Sequence, residues 1–147
     1  MKRYLPVLII AALVWAYDLY QDLETPGAPS TDPRATAVET TLREAYANRR
    51  GDIQVEGAGR VTRILRDDTQ GSRHQRFIIE LGSGQTVLVS HNIDLAPRVE
   101  GLRVGDEVTF FGEYEWNPQG GVIHWTHHDP AGRHPDGWIR HRGRTYR

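Results

Sequence analysis

The sequence predicts a small all-β domain: a five-stranded barrel, preceded by one amphipathic helix and an N-terminal signal or anchor segment. From residue 52 onward, apolar and polar residues alternate with a period of two in several short runs. Turns rich in glycine, asparagine and aspartate separate those runs. The composition is globular, with 25% charged and 38% hydrophobic residues in a chain of 147, which suits one modest core.

Composition and motifs exclude several function classes. The formal net charge is −1, without the basic excess of a nucleic-acid-binding protein, so nucleic acid is not an expected partner. There is no cysteine, which excludes disulfides, thiolate metal ligands and a thiol nucleophile. Neither Ser72 nor Ser90 lies in a nucleophile elbow, and residues 82–84 (GSG) form a hairpin turn rather than a phosphate loop.

Residues 1–23 are predicted to be a signal peptide or a membrane anchor. Lys2 and Arg3 precede an apolar run over residues 4–17. That run suits a secretory h-region better than a full membrane span, which needs about 20 residues. If the segment is uncleaved, the membrane is a partner through it. In either case we expect the rest of the chain to be extracytoplasmic, in the periplasm or cell envelope.

Residues 24–33 read as a proline-rich linker, and residues 34–50 as an amphipathic helix that Gly51 ends. The helix carries an apolar stripe that we expect to cover the domain core, formed by Val38, Leu42, Ala45 and Tyr46. The basic tail, residues 131–147, is expected to pack on the barrel through Trp138, Ile139 and Tyr146.

Residues 51–130 are predicted to form the barrel. Its strands are expected over residues 53–65, 74–81, 85–91, 107–116 and 120–129. Gly57 and Gly59 loosen the first strand, where we expect a bulge or sharp coil. This first strand, with a longer connection between the third and fourth strands, indicates an OB-like barrel. Alternation predicts that one set of side chains is buried: Phe77, Ile79, Val108, Phe110, Ile123 and Trp125.

In an OB-like barrel the first, third and fifth strands run in the same direction, so their C-terminal ends meet at one pole. Polar residues that are distant in sequence would converge there and form a histidine and carboxylate rim. The candidate ligand-binding residues are His74, His91, Asn92, Asp94, His124, Thr126, His127, His128 and Asp129, with Trp138 as a candidate stacking platform.

Imidazoles and carboxylates together suit a divalent metal such as Zn, Ni, Cu or Mn, which is the one possible cofactor. His124 and His128 lie about 13 Å apart on an extended strand and cannot share an ion. The candidate metal ligands are His91, His128 and Asp129, with His74 as an alternative to His91 and His134 as an alternative to Asp129. The alternative is that these groups only hydrogen-bond to one another and stiffen loops.

Four segments resemble one uncharacterised bacterial family, domain-of-unknown-function family 3465, whose hallmark is a His-Trp-Thr-His motif. They are residues 71–75 (GSRHQ), 91–94 (HNID), 112–117 (GEYEWN) and 124–127 (HWTH). The resemblance covers the chain from about Asp52 to its C-terminus. It implies no activity, because none is assigned to the family.

Three functions remain open, and the sequence favours binding over catalysis. The first is an extracytoplasmic OB-fold module that binds a small or oligomeric ligand at the rim. The second is a metal-dependent, phosphodiesterase-like hydrolase, with Asp67 and Asp68 or His91 and Asp94 as acid and base. In that case Arg73 or Arg76 would hold a phosphate. The third is a structural interaction protein of the envelope.

Overall fold

The computed structural model describes residues 32–147, so the predicted signal or anchor segment and most of the linker lie outside the described residues. The described chain forms one helix and seven strands. They are α1 (Pro33–Ala47), β1 (Ile53–Ile64), β2 (His74–Glu80), β3 (Thr86–Asn92), β4 (Glu107–Glu115), β5 (Val122–His124), β6 (Trp138–His141) and β7 (Arg144–Tyr146). Among residues 32–147 no helix is both long and apolar enough to cross a membrane.

The strands form one sheet in the order β1-β2-β3-β5-β4-β6-β7, and an additional pairing of β1 with β4 closes it into a barrel. Strands β3 and β5 pair in parallel, with Leu88 opposite Val122 and Val89 opposite Ile123. The closed barrel of β1 to β5 confirms the predicted fold class and is consistent with an OB-like fold.

Helix α1 covers the pole of the barrel where the β2–β3 and β4–β5 turns lie. Leu42 and Ala45 are buried. The Gln85 side chain donates to the Leu42 carbonyl at 3.5 Å, and the Tyr46 hydroxyl donates to the Pro118 carbonyl at 3.1 Å. The helix therefore seals the core at this pole and leaves the opposite pole, where the predicted rim lies, to the strand ends and loops.

The helix is shorter than predicted at its C-terminus. It ends at Ala47, with Asn48 as its cap. Arg49 and Asp52 both take left-handed backbone conformations, with φ of 53° and 56°. The chain thus leaves the helix before Gly51, the residue that was expected to stop it.

The glycines of β1 allow close packing rather than a bulge. A Cβ at Gly57 would lie 2.9 Å from the Phe110 ring, and one at Gly59 would lie 3.0 Å from the Glu80 carbonyl. The irregularity in the β1–β2 pairing falls later, between Val61 and Arg63. The expected bulge at the glycines is therefore wrong in position.

The barrel core is largely the predicted one. Five of the expected residues are at most 2% exposed: Phe77, Ile79, Val108, Phe110 and Ile123. Trp125 is the exception, because it is only partly buried. Its φ is 52°, so strand β5 ends before it and the alternation no longer directs its side chain inward.

Two short strands, β5 and β6, take the place of the single long fifth strand that was predicted. Strand β5 pairs with Glu113–Glu115 of β4, and β6 pairs with Thr109–Phe111 of the same strand. Between them the chain leaves the sheet over residues 125–137, hereafter the 125–137 loop. The loop closes where the Gly137 amide donates to the His127 carbonyl at 2.9 Å. The predicted strand over residues 120–129 was therefore too long.

The basic tail forms part of the sheet. Strands β6 and β7 make an antiparallel hairpin in which Ile139 lies opposite Tyr146. Both side chains are buried in the core. Arg142 and Gly143, with φ of 47° and 76°, form the turn.

Candidate functional site

The parallel course of β3 and β5 brings His91 beside the 125–137 loop. The His91 ring is fully buried. Its Nδ1 lies 2.9 Å from the Thr126 hydroxyl, and its Nε2 lies 3.0 Å from the Pro97 carbonyl. A neutral ring satisfies both contacts when Nε2–H donates to Pro97 and Nδ1 accepts from Thr126. Burial lowers the pKa of His91 to about 4, so the ring is neutral at pH 7.

The polar residues His127, His128 and Asp129 form hydrogen bonds within the 125–137 loop. The His127 Nδ1–H donates to the His128 carbonyl at 2.7 Å. His128 is exposed and lies 2.8 Å from the Asp136 carboxylate. The Asp129 carboxylate accepts three backbone N–H groups of the loop, from Ala131, Arg133 and His134. The amide of Ala131 is the main cause that lowers the pKa of Asp129.

The β2 and β3 side of the same pole is also internally paired. His74 Nδ1–H donates to the Ser72 carbonyl at 2.8 Å. The Asn92 side chain accepts the Asp94 amide at 2.9 Å. Asp94 in turn accepts the backbone and side-chain N–H groups of Arg73, both at 2.7 Å. These two contacts, the backbone one first, lower the pKa of Asp94.

The acids and arginines proposed for hydrolysis have protein partners as well. Asp67 forms an ion pair with Arg98. Arg76 donates to the Arg66 carbonyl at 3.1 Å, and Arg73 is held by Asp94. Neither of the two arginines that were expected to hold a phosphate is therefore free of a protein contact.

We call the pole formed by His74, His91, Asn92, Asp94 and Thr126, together with His127, His128 and Asp129 of the loop, the rim. The structure does not bring His91, His128 and Asp129 together as ligands of one ion. His91 uses both ring nitrogens inside the protein, and Asp129 is occupied by backbone amides. Residues 32–147 contain one group of three histidine or carboxylate side chains whose ligand atoms all lie within 4.8 Å of one another. This group is not at the rim.

Those atoms belong to Glu113, Glu115 and His124. The pairing register explains why they meet. Glu113 of β4 lies opposite Gln54 of β1 on one side and opposite His124 of β5 on the other. Directly opposed side chains share one face of a sheet, and so does a residue two positions along the strand, which is Glu115. This is the outer face, because the alternate residues Tyr114 and Ile123 are in the core.

His134 of the 125–137 loop lies over this row. Its Nδ1 is 3.5 Å from Glu113 Oε2. Its ring stacks on Trp125, with 3.8 Å between ring centroids and an interplanar angle of 16°. The positive φ of Trp125 turns its side chain out of the strand and into this stack. We call Gln54, Glu113, Glu115, His124 and His134 the side patch.

Two nitrogens of the side patch are buried without a hydrogen-bond partner, Gln54 Nε2 and His124 Nε2. His124 Nε2 lies 3.2 Å from Glu113 Oε1, but outside hydrogen-bonding geometry. A buried polar atom without a partner typically costs about 1–3 kcal/mol. The two residues pair with Glu113 from the strands on either side of β4, so the cost falls in one part of the sheet.

Burial lowers the pKa of His124, although Glu113 and Glu115 act in the opposite direction. Its side chain is 34% exposed, so the ring remains accessible from solvent. Glu115 is oriented from the other side of the patch, since its Oε1 accepts the Asp52 amide at 3.1 Å. The patch therefore combines two carboxylates with an imidazole that is partly exposed but whose Nε2 is buried.

A family model described as "Protein of unknown function (DUF3465)" matches residues 28–147. The chain belongs to the DUF3465 family. No curated protein matches it.

The DUF3465 segments divide between the two regions. Segments 71–75 and 91–94 supply rim residues. Segment 112–117 supplies Glu113 and Glu115, and segment 124–127 supplies both Thr126 of the rim and His124 of the side patch. The two central residues of the hallmark motif thus lie where β5 ends and the backbone turns from one region to the other.

Trp138 lies in neither region of this DUF3465 domain. It stacks on Phe111 of β4, with 6.4 Å between centroids, and the Arg140 guanidinium lies 4.0 Å over its ring. The indole therefore already contacts two of the protein's own side chains. The predicted stacking platform for a ligand is therefore not favoured by this arrangement.

Sequence reasoning missed Glu113, Glu115 and Gln54, and it considered His134 only as a metal ligand at the rim. Alternating glutamates in a strand are the ordinary pattern of a solvated face, so they gave no signal by themselves. The usable signal was the hairpin turn at residues 117–120 (NPQG). Pairing β4 with β5 across that turn places Glu113 opposite His124.

Proposed function

We propose that this DUF3465 protein is an extracytoplasmic ligand-binding module whose ligand site is the side patch rather than the rim. One observation carries the proposal: Gln54 Nε2 and His124 Nε2 are buried and make no hydrogen bond, and both residues are strand partners of Glu113. Buried polar groups in native proteins are nearly always paired, so a pair of exceptions at strand partners of one residue indicates atoms that a ligand satisfies.

The surroundings of the side patch suit a small ligand. His124 is reachable from solvent, and Glu113 is buried beneath it. Trp125 and His134 form a flat aromatic stack at the border of the patch. An accessible imidazole, a buried carboxylate and an adjacent aromatic surface are the elements from which small-molecule sites are commonly built.

The contacts at the rim favour binding over the phosphodiesterase-like alternative. A hydrolytic site needs an acid or base and a phosphate-binding cation that are not consumed by structural contacts. Asp67 pairs with Arg98, and Arg73 pairs with Asp94. His91 is neutral and bonded on both nitrogens. No observation therefore favours the rim as a reaction centre.

Export is the second part of the proposal, and it rests on Lys2 and Arg3 before the apolar run of residues 4–17. A reporter active only in the cytoplasm should give little signal when it is fused after Asp32. Strong signal from that fusion would contradict the extracytoplasmic assignment.

Ligand binding is tested by thermal unfolding of the full chain against a panel of divalent metal ions, inorganic phosphate, free amino acids and chitin oligosaccharides. A ligand at 100 times its Kd stabilises the folded state by about 2.7 kcal/mol, which gives a clear rise in Tm. At least one panel member should raise the Tm of the wild-type protein.

The rise should be lost in Glu113→Gln and in His124→Leu. It should be kept in the matched control His128→Ala, which changes an exposed rim histidine. A rise that survives both patch substitutions, or that is lost only in His128→Ala, would contradict the side patch as the site. The absence of any rise across the panel would contradict ligand binding of these classes.

A further inference from the structure

We infer that the side patch binds a divalent transition-metal ion through Glu113, Glu115 and His124. This inference rests on the proposed function, since it names the ligand of the same site. In the described part of the chain no other set of three histidine or acidic ligand atoms lies within 4.8 Å of one another.

The distances fit coordination. His124 Nε2 and Glu113 Oε1 are 3.2 Å apart without a hydrogen bond between them. Two ligand atoms on one ion with bonds of about 2.0–2.2 Å are separated by about 3.3–3.6 Å in a tetrahedral site, and by about 2.8–3.1 Å at adjacent positions of an octahedral site. The observed separation lies between these values, so the two atoms are already spaced as ligands of one ion.

The charges of the patch also favour a cation. Two carboxylates lie within 4.8 Å of the His124 nitrogen, and within residues 32–147 neither of them forms an ion pair with an arginine. A dication would compensate both carboxylates and would give the unpaired His124 nitrogen a bond.

The groups behind the ligands hold them in place, as in many metal sites. The Asp52 amide fixes one oxygen of Glu115 at 3.1 Å. Gly51 leaves the space for the other, because a Cβ there would lie 2.0 Å from Glu115 Oε2. His134, stacked on Trp125, lies 3.5 Å from Glu113 Oε2 and can orient that carboxylate.

The donor set limits the identity of the ion. It contains imidazole nitrogen and carboxylate oxygen, and the chain has no cysteine. Such sets suit Zn²⁺, Ni²⁺, Cu²⁺ or Mn²⁺, whereas Cu⁺ and iron–sulfur clusters require softer sulfur ligands. Three protein ligands leave at least one coordination position for water or for a bound molecule.

The test is calorimetric titration of the full chain, purified without a histidine tag and stripped with a chelator, with ZnCl₂, NiCl₂ and MnCl₂. We expect one ion per chain for at least one metal. Glu113→Gln and His124→Leu should each weaken the affinity at least tenfold, while His74→Ala and His128→Ala, which change histidines outside the patch, should leave it unchanged. Cu²⁺ electron paramagnetic resonance should lose its nitrogen coupling in His124→Leu.

Gly51→Ala provides a test that removes no ligand. Its backbone φ is not in the left-handed region, so the added methyl mainly displaces the flexible end of Glu115. We expect a three- to tenfold loss of metal affinity with an unchanged circular dichroism spectrum. This variant keeps the inference testable even if Glu113→Gln fails to fold.

The outcomes separate the two claims. If no metal binds, or if metal binds equally to the wild type and the patch variants, the metal inference is wrong. If phosphate or an oligosaccharide then stabilises the wild type but not the patch variants, the proposed binding function still stands. If metal binding is lost only in the His74 or His128 variant, both the metal site and the side patch are assigned wrongly.

Discussion

The rim and the side patch are built from the same residue types, but they differ in how their polar atoms are used. At the rim, both ring nitrogens of His91 and the carboxylate of Asp129 contact groups of the protein. In the side patch, Gln54 Nε2 makes no hydrogen bond, and His124 Nε2 lies 3.2 Å from Glu113 Oε1 outside hydrogen-bonding geometry. The rim, which has more histidines, is therefore the region whose polar atoms already have hydrogen-bond partners within the protein.

This difference separates a structural role from a functional one. A polar group whose bonds are all made inside the protein stabilises one conformation and has little left to offer a ligand. A buried group without a partner costs stability and is retained where something else compensates that cost. The density of histidines in a sequence does not distinguish the two cases, but their hydrogen bonding does.

Among the residues of the rim and the side patch, the largest effect should follow from removing His91. His91→Ala leaves a cavity and two unpaired partners, the Thr126 hydroxyl and the Pro97 carbonyl. We expect the free energy of unfolding to fall by about 3–4 kcal/mol, measured by urea denaturation. His128→Ala, the exposed comparison, should cost less than about 1 kcal/mol. Equal costs at the two positions would remove the distinction between buried and exposed rim histidines.

A double-mutant cycle refines this result. His91→Ala combined with Thr126→Val should show a coupling energy of about 1 kcal/mol or more, because the two side chains share a hydrogen bond. His91→Ala combined with His128→Ala should be additive, since His128 bonds to Asp136 instead. Strong coupling in the second pair would mean that the rim histidines act together after all.

Acid should destabilise the rim. The pKa of His91 falls from 6.5 to about 4 on folding. Between these two pH values the unfolded chain binds more protons, so this contribution is complete above pH 6.5 and is lost as the pH falls towards 4. The loss should amount to about 3 kcal/mol. His91→Ala should reduce the slope of the profile in this window without removing it, since burial also lowers the pKa of His124. An unchanged profile in the variant would contradict the buried neutral ring.

Trp125 should contribute less than a core residue of its size. Its side chain is partly buried and stacks on His134 outside the core. We expect Trp125→Ala to lower the free energy of unfolding by about 1–2 kcal/mol, and Phe110→Ala, a fully buried comparison, by about 3–5 kcal/mol. A cost for Trp125 as large as that for Phe110 would place the indole in the core, where the alternation of the sequence had put it.

The smallest effect should be at the side patch itself. His124→Leu removes a buried nitrogen that makes no hydrogen bond. The free energy of unfolding, measured without added ligand, should fall by less than about 1 kcal/mol. A loss comparable to that of His91→Ala would indicate a structural role for His124 and would weaken the contrast between the two regions.

The sequence predicted the first four strands to within about a residue or two at each end, because their alternation coincides with burial. It failed at the fifth strand. Nothing in the local pattern indicates that Trp125 adopts a positive φ, which is rare for a bulky residue. Close backbone packing at Gly112 and Gly137 accompanies this turn, but in the sequence these glycines are two among 15.

The site was harder to predict than the fold. The parallel strands correctly brought His91 near the HWTH segment. Whether the ring nitrogens of a histidine are hydrogen-bonded depends on partners such as the Pro97 carbonyl and the Thr126 hydroxyl. The alternation of apolar and polar residues does not reveal these partners. Glu113 and His124 meet only through the strand register, so the side patch is a property of the pairing rather than of any one segment.

Because β5 and β6 both pair with β4, the 125–137 loop between them is an insertion that can be replaced. The β4 strand is paired on that edge by β5 before the loop and by β6 after it. The bond from the Gly137 amide to the His127 carbonyl fixes the exit of the loop against its entry. The tip between them can therefore change length or sequence without moving the register of the barrel. This loop is therefore the best place to introduce a new binding specificity, natural or engineered. Substitutions there change the residues that border the side patch and leave the strand pairing of the barrel unchanged.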